Sequence, residues 1–143
     1  MGKRKSVQKG EAGAVVAEKA PVKSVSRQRI EGGRIYIQAS FNNTIVTITD
    51  QKGGTLAWMS AGSVGFAGPK KATPFAASKV IEAIAEKVKR SGPTNVEVFV
   101  TGIGKGRDSA IRTIATAGFN ILSIKDMTPV AHNGPRPRKV RRV

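Results

Sequence analysis

The chain has 143 residues and carries 25 Lys and Arg against 9 Asp and Glu, which gives a formal net charge of +16. This length and charge are typical of one small domain that binds a polyanion along an extended path. No apolar run is long enough to span a membrane, and the absence of Cys excludes disulfides and thiolate metal sites, so we expect a cytoplasmic protein.

Residues 1–33 mix Lys, Ala, Gly, Ser and Val without a sustained period. A segment of this kind buries too little apolar surface to offset the entropy lost on ordering. We therefore expect a basic, disordered N-terminal arm, which serves either as a solubilising tail or as an RNA-contacting segment.

Three strands are predicted next, at residues 34–40, 44–49 and 55–60. The first alternates between apolar and polar residues, and the second is β-branched throughout. Between the first and second strands, Asn42 and Asn43 tolerate the positive φ values of a tight turn. The three strands, joined by short turns, are therefore predicted to form an antiparallel meander. Trp58, in the third strand, is expected to be a packing residue rather than a stacking platform.

Residues 61–73 are rich in Gly and predict a long loop of the kind that is usually functional or mobile. Its glycines permit close approach to a flat or anionic surface. Phe66 either stacks on an unpaired base or folds back as a plug for the loop. The adjacent cations Lys70 and Lys71 favour phosphate contacts.

A long helix is predicted after this loop. Thr73 is suited to cap it, Pro74 to occupy its first position, and residues 92–93, Gly-Pro, to end it. Its apolar residues recur with helical spacing and form one continuous stripe, whereas the opposite face has charges of both signs.

The remaining elements predict a parallel βαβ unit: a strand at 96–100, a short helix at 110–117 and a strand at 121–124. The glycine-rich loop at 102–107 directs backbone N–H groups and two cations, Lys105 and Arg107, beyond the end of the first strand. Such a loop is suited to binding a phosphate.

Together these elements predict an α/β protein, a three-layer α/β/α sandwich on a mixed five-stranded sheet. The order of elements resembles the ribonuclease H-like topology, which concerns shape and implies no nuclease activity. The folded domain is expected at residues 34–128, followed by an extended C-terminal tail, rich in Pro and Arg, at residues 129–143.

Enzymatic alternatives have little support. The loop at 102–107 matches neither a dinucleotide-binding fingerprint nor a P-loop, although Asp126 stands where a ribose-binding acid could lie. A small nucleotide-binding domain is therefore the alternative function. The carboxylates are scattered and His132 is the single histidine, so we predict no catalytic residues, no metal site and no cofactor.

A DNA-binding protein would share the charge of this chain. However, the long helix contains no Asn or Gln and has mixed charge, which is unlike an exposed recognition helix. Loops and extended arms are better suited to structured RNA.

Several motifs in the same order carry a resemblance to a known family. They are Phe-Asn-Asn-Thr-Ile-Val-Thr at 41–47, Gly-Phe-Ala-Gly at 65–68, Thr-Gly-Ile-Gly at 101–104 with Gly-Arg at 106–107, and the sequence from residue 124 to the C-terminus. From about Arg34 onward, the sequence resembles the bacterial-type family of small-subunit ribosomal protein eleven.

This resemblance implies a structural protein of the cytoplasmic ribosome that bridges segments of small-subunit rRNA. It further implies a place on the platform near the Shine–Dalgarno cleft and the exit site. Small-subunit proteins seven and eighteen would be neighbours, with initiation factor three and mRNA nearby, and there would be no small-molecule substrate. Members of the family also carry isoaspartate at the step that corresponds to Asn133-Gly134.

From the loops and the resemblance together we predict an RNA-binding surface formed by the turn after the first strand, both glycine-rich loops, the short helix and the tail. Its predicted residues are Asn42, Asn43, Thr44, Gly62, Gly65, Phe66, Gly68, Lys70, Lys71, Gly102, Gly104, Lys105, Gly106, Arg107, Arg112, His132, Asn133, Arg136, Arg138, Lys139, Arg141 and Arg142.

Overall fold

The computed structural model of the chain describes residues 30–140 and residue 142. Its elements are β1 (Gly32–Ala39), β2 (Thr44–Asp50), β3 (Thr55–Ser60), α1 (Pro74–Val88), β4 (Asn95–Thr101), α2 (Gly106–Thr116) and β5 (Asn120–Asp126). Two short 3₁₀ helices, Gly62–Val64 and Gly68–Ala72, lie between β3 and α1. The predicted N-terminal arm up to residue 29, and Arg141 of the predicted surface, lie outside the described residues.

The strands form one five-stranded sheet in the order β3-β2-β1-β4-β5. β2 pairs antiparallel with both β1 and β3, whereas β1–β4 and β4–β5 are parallel pairs. The structure thus confirms the predicted α/β class, the meander, the parallel βαβ unit and the mixed five-stranded sheet.

The predicted third layer is not present in the part of the chain that the structure describes. The two helices pack against each other, and Thr113 Oγ1 of α2 donates to Ser78 Oγ of α1 at 3.0 Å. Both crossovers, β3–α1–β4 and β4–α2–β5, advance in the same direction along the sheet. Because such connections are right-handed, both helices lie on the same face, and the sandwich has two layers.

The core lies between this face of the sheet and the two helices. Alternate residues of β1, β2 and β4 point into it, and they are almost completely buried. The apolar stripe of α1 covers them, with buried residues Ala76, Ala77, Val80, Ile81, Ile84 and Val88. The predicted cap of α1 is confirmed, because Thr73 Oγ1 accepts a hydrogen bond from the Ala76 N–H at 3.2 Å.

Several element boundaries differ from the sequence prediction, and the start of α2 differs most among them. β1 begins at Gly32, two residues before the predicted strand. α2 begins at Gly106 rather than at Ala110, so Gly106 and Arg107 belong to the first turn of the helix and not to the loop. No helix in the described part of the chain is long and apolar enough to cross a membrane.

Candidate nucleic-acid interface

The predicted binding segments all leave the sheet at one edge. β1, β3, β4 and β5 run in the same direction, so their carboxyl ends lie together at what we call the carboxyl edge. The turn after β1, the loop after β3, the loop after β4 and the tail after β5 begin there. Ligands of open α/β sheets bind at this kind of edge.

Hydrogen bonds join these segments to one another. The Gly104 N–H donates to the Ala39 carbonyl at 2.9 Å, which fixes the loop after β4 against the end of β1. The Ala61 N–H donates to the Thr44 carbonyl at 3.0 Å, which holds the loop after β3 beside the same turn. The carboxyl edge is therefore one connected surface.

The turn after β1 is held by its own side chains. Ser40 Oγ accepts from the Asn43 N–H at 3.0 Å, and Asn43 Oδ1 accepts from the Thr44 N–H at 3.0 Å. Asn42 is exposed and Asn43 half-buried, as a contact surface requires. Thr44 is completely buried, because the alternation of β2 points its side chain into the core. Its side chain is therefore not accessible to RNA, which corrects the prediction for this residue.

In the loop after β3, Gly65 and Gly68 have φ values of 98° and 56°, a backbone conformation that glycine adopts most easily. Phe66 is half-buried against the core, and its ring lies edge-on to Phe75 with centroids 5.9 Å apart. This geometry favours packing of the Phe66 ring against the protein over stacking of the ring on an RNA base. Phe75 is 63% exposed beside this loop. The sequence analysis assigned Phe75 no role, because it lies off the apolar stripe of α1.

Lys70 is exposed at the same loop, Lys71 is half-buried, and Gly62, the first residue of the first 3₁₀ helix, is exposed. All three lie in the segment that joins the carboxyl end of β3 to α1.

The loop after β4 lies very close to the neighbouring backbone. Gly102 has a φ of 95°, and a Cβ at this position would overlap the Ala39 carbonyl. Gly106 is buried, and a Cβ there would lie 2.7 Å from Thr44 Oγ1 and 3.0 Å from Ala77 Cβ. Gly106 therefore allows α2 to pack closely on β2 and α1. Its predicted role in RNA binding is corrected to a packing role.

Arg107 is used within the protein. Its Nη2 donates to Asp126 Oδ2 at 2.6 Å, and its Nη1 donates to the Gly102 carbonyl at 3.0 Å. The guanidinium joins the loop after β4 to the end of β5, and the predicted phosphate contact of Arg107 stays a prediction. Asp126, the candidate ribose acid of the nucleotide-binding alternative, is engaged in the same contact.

Thr128 completes this connection. Its hydroxyl accepts from the Gly102 N–H at 3.1 Å and donates to Asp126 Oδ1 at 2.6 Å. The hydrogen bonds from Arg107, from the Thr128 hydroxyl and from the Thr128 N–H hold the pKa of Asp126 well below its usual range. We call Arg107, Asp126 and Thr128 the clasp. No local sequence signal marks Thr128, because its contact with Gly102 spans 26 positions.

Exposed cations remain on both sides of the clasp. Lys105 precedes α2, and Arg112 is exposed on α2 itself. In the tail the remaining predicted residues are exposed and lie outside regular secondary structure; they are His132, Asn133, Arg136, Arg138, Lys139 and Arg142. Asn133 has a φ of 54°, the only positive φ of a non-glycine residue among those described.

No group of three or more His, Cys, Asp or Glu that could hold a metal ion occurs within residues 30–140 and 142. The chemistry of the carboxyl edge is therefore that of backbone N–H groups, amides, hydroxyls and cations. Groups of this kind form hydrogen bonds and ion pairs with phosphates and ribose hydroxyls in nucleic-acid complexes.

Comparison with known proteins gives a consistent result. The profile of the family described as Ribosomal protein S11 matches residues 33–142. Small ribosomal subunit protein uS11 of Treponema pallidum (strain Nichols) is 51% identical over 121 residues, which is 85% of this chain and 96% of that protein. Small ribosomal subunit protein uS11 of Solibacter usitatus (strain Ellin6076) is 50% identical over 133 residues, covering 87% of this chain and 98% of that protein.

Proposed function

The chain belongs to the ribosomal protein S11 family, and from this premise we propose that it bridges several rRNA segments on the platform of the small subunit, near the Shine–Dalgarno cleft and the exit site. Membership in the family makes it a structural protein of the small subunit in the cytoplasmic ribosome, where it binds rRNA. The prediction that it is not an enzyme is confirmed by the same membership.

The observation that carries the bridging role is the convergence of four segments on the carboxyl edge. Three of the segments belong to the folded domain: Asn42 and Asn43 provide amides in the first, Lys70 a cation in the second, and Lys105 a cation in the third. One edge that presents separate binding segments can hold separate RNA strands against one another.

The tail extends the proposed interface beyond the folded domain. Its cations neutralise closely spaced phosphates, and Arg side chains also stack on exposed bases. Pro129, Pro135 and Pro137 restrict the backbone to extended conformations, which lowers the entropy lost when the tail threads between RNA helices. The clasp sets the direction in which the tail leaves β5.

The proposed neighbours are small-subunit proteins seven and eighteen, with initiation factor three and mRNA close by. This part of the proposal rests on membership in the family.

Directed hydroxyl-radical probing tests the single-edge arrangement. The natural chain contains no Cys, so each introduced cysteine is a unique attachment point for an iron chelate. We expect subunits reconstituted with Asn42→Cys, Lys70→Cys or Lys105→Cys to show strong, overlapping rRNA cleavage. Lys87→Cys, in the last turn of α1 at the opposite edge, is the matched control and should cleave weakly. Equal cleavage from all four positions would contradict the proposal.

A further inference from the structure

The face of the sheet opposite the helices is uncovered in the described part of the chain, and we call it the outer face. One residue from each of the five strands forms a single register row across it, which we call the outer row. From β3 to β5 the outer row consists of Trp58, Thr47, Tyr36, Phe99 and Lys125.

The outer row combines aromatic rings with a cation. The rings of Tyr36 and Phe99 are stacked, with centroids 5.1 Å apart and planes inclined by 15°. Lys125 Nζ lies 5.5 Å from the centroid of the Phe99 ring. Trp58 is 63% exposed at the β3 end of the row, which corrects the expectation that it is a packing residue.

The surroundings of the outer row are polar. The row nearer the carboxyl edge contains the hydroxyl and amide side chains of Gln38, Ser60 and Thr101 together with Ile45, whereas Thr49 in the other row is buried. The single carboxylate of these rows, Glu97, lies 3.6 Å from Arg34. An interface that buries a protein partner has an apolar, charge-depleted centre, whereas aromatic rings among hydrogen-bonding groups and cations suit unpaired bases.

We propose that a single-stranded segment of rRNA lies across the outer face and stacks two or three bases on the outer row. Lys125 and Arg34 contact its phosphates, and the hydroxyl and amide side chains contact base edges. This inference rests on the proposed function and adds a second RNA-binding surface to it.

The position of the outer row supports this path for the RNA. β3 leads directly from Trp58 into the loop after β3, and β5 leads from Lys125 into the clasp and the tail. Tyr36 lies three residues before the end of β1, a distance of roughly 10 Å along the strand. An RNA strand held at the carboxyl edge can therefore continue onto the outer face within two nucleotides.

Trp58 provides a direct measurement, because it is the only tryptophan of the chain. We expect titration of the full-length protein with an unstructured RNA hexamer to quench the fluorescence of Trp58, since stacking on a base quenches indole emission. The Tyr36→Leu and Phe99→Leu variants keep apolar volume but remove the rings. By the usual contribution of one stacked base, each should weaken binding of the hexamer by about 5- to 150-fold.

Ile124→Ala is the matched control, because Ile124 is 53% exposed on β5 but stands in register with the buried Val98, on the helix side of the sheet. This variant should retain the full quenching at saturation. The slope of log affinity against log salt should be unchanged in Phe99→Leu, since stacking releases no counterions, whereas Lys125→Ala should lower it.

Two results would overturn the inference. One is binding of the hexamer without quenching of Trp58 and without loss in the Leu variants. The other is protection of Trp58 by an added small-subunit protein in the absence of RNA, which would make the outer face a protein interface. These results would leave the proposed function intact as long as the protein still binds a folded rRNA fragment through the carboxyl edge. Loss of that binding would contradict the proposed function itself.

Discussion

Arg107 Nη2 lies 2.6 Å from Asp126 Oδ2, and this ion pair connects the start of α2 to the last residue of β5. A glycine-rich loop with a cation usually indicates a phosphate site. In this protein the cation of that loop organises the loop itself and the departure of the tail, and the neighbouring Lys105 is the one exposed to a ligand.

Lys105→Ala and Arg107→Ala should therefore behave differently. Lys105→Ala removes an exposed cation, so we expect the slope of log affinity for rRNA against log salt to fall by about 1 at an unchanged melting temperature. Arg107→Ala should lower the melting temperature and change this slope less. Salt titrations by filter binding and thermal unfolding by circular dichroism distinguish the two. A smaller slope with an unchanged melting temperature for Arg107→Ala would show that Arg107 contacts phosphate and does not stabilise the fold.

The clasp should make the free energy of unfolding depend on acid pH. The folded pKa of Asp126 is lowered from its ordinary value of 3.8, so the ionised carboxylate stabilises the folded state. This stabilisation is fully present above about pH 4 and is lost as the pH falls through the lowered pKa. In Asp126→Asn, the decline of stability below pH 4 should be shallower than in the natural protein, as measured by urea unfolding at a series of pH values. Asp108→Asn, in the first turn of α2, is the control. Identical acid profiles for the natural protein and Asp126→Asn would rule out this role.

Binding to rRNA should depend strongly on salt. If the carboxyl edge and the tail make about 6–10 phosphate contacts, affinity should fall by about 10³–10⁵ between 50 and 200 mM salt, by analogy with duplex DNA. Filter-binding titrations with a small-subunit rRNA fragment measure this directly. A salt dependence near zero would contradict a polyanion-binding surface.

Deletion of residues 135–143 should leave the domain folded but weaken its incorporation into the small subunit. The described residues of this stretch are exposed and lie outside regular secondary structure. Reconstitution followed by sucrose-gradient sedimentation measures incorporation, and calorimetry measures folding. Loss of the cooperative thermal transition in the truncated protein would show that the tail belongs to the folded domain.

We propose that Asn133 converts to isoaspartate in the ribosome. Gly134 has no Cβ, so its nitrogen can reach the Asn133 side-chain carbonyl and close a succinimide. Both residues are exposed in the tail, whereas Asn95 and Asn120 begin strands of the sheet and should stay unmodified. Peptide fragmentation of protein from aged ribosomes distinguishes Asn, Asp and isoaspartate. Unmodified Asn133 throughout such a sample would exclude the proposal, and Gly134→Ala should slow the conversion.

Local signals account for the elements that the sequence predicted well. The cap at Thr73, the proline at the start of α1 and its apolar stripe lie within one segment, so α1 was predicted at its first residue. The start of α2 was missed because Gly106 is a poor helix former. Its place in the helix depends on close packing against Thr44 and Ala77, which no local pattern shows.

Long-range contacts account for the other differences. Alternation in the strands identifies which residues share a face, but it does not say whether a helix covers that face. The prediction of a third layer was wrong for this reason. The strand order together with right-handed crossovers places both helices on the same face of the sheet. The clasp was missed because Arg107 lies 19 positions before Asp126 and 21 positions before Thr128 in the chain.

The turn between α2 and β5 is a suitable place to insert a tag or a label. It lies at the edge of the sheet opposite the RNA-binding segments, Gly118 has a φ of 90°, and the space around a Cβ at this residue is open to 4 Å. A short affinity tag or a fluorescent label inserted there points away from the carboxyl edge. Small subunits could then be purified or followed by imaging through this turn, while the rRNA-binding segments keep their natural sequence.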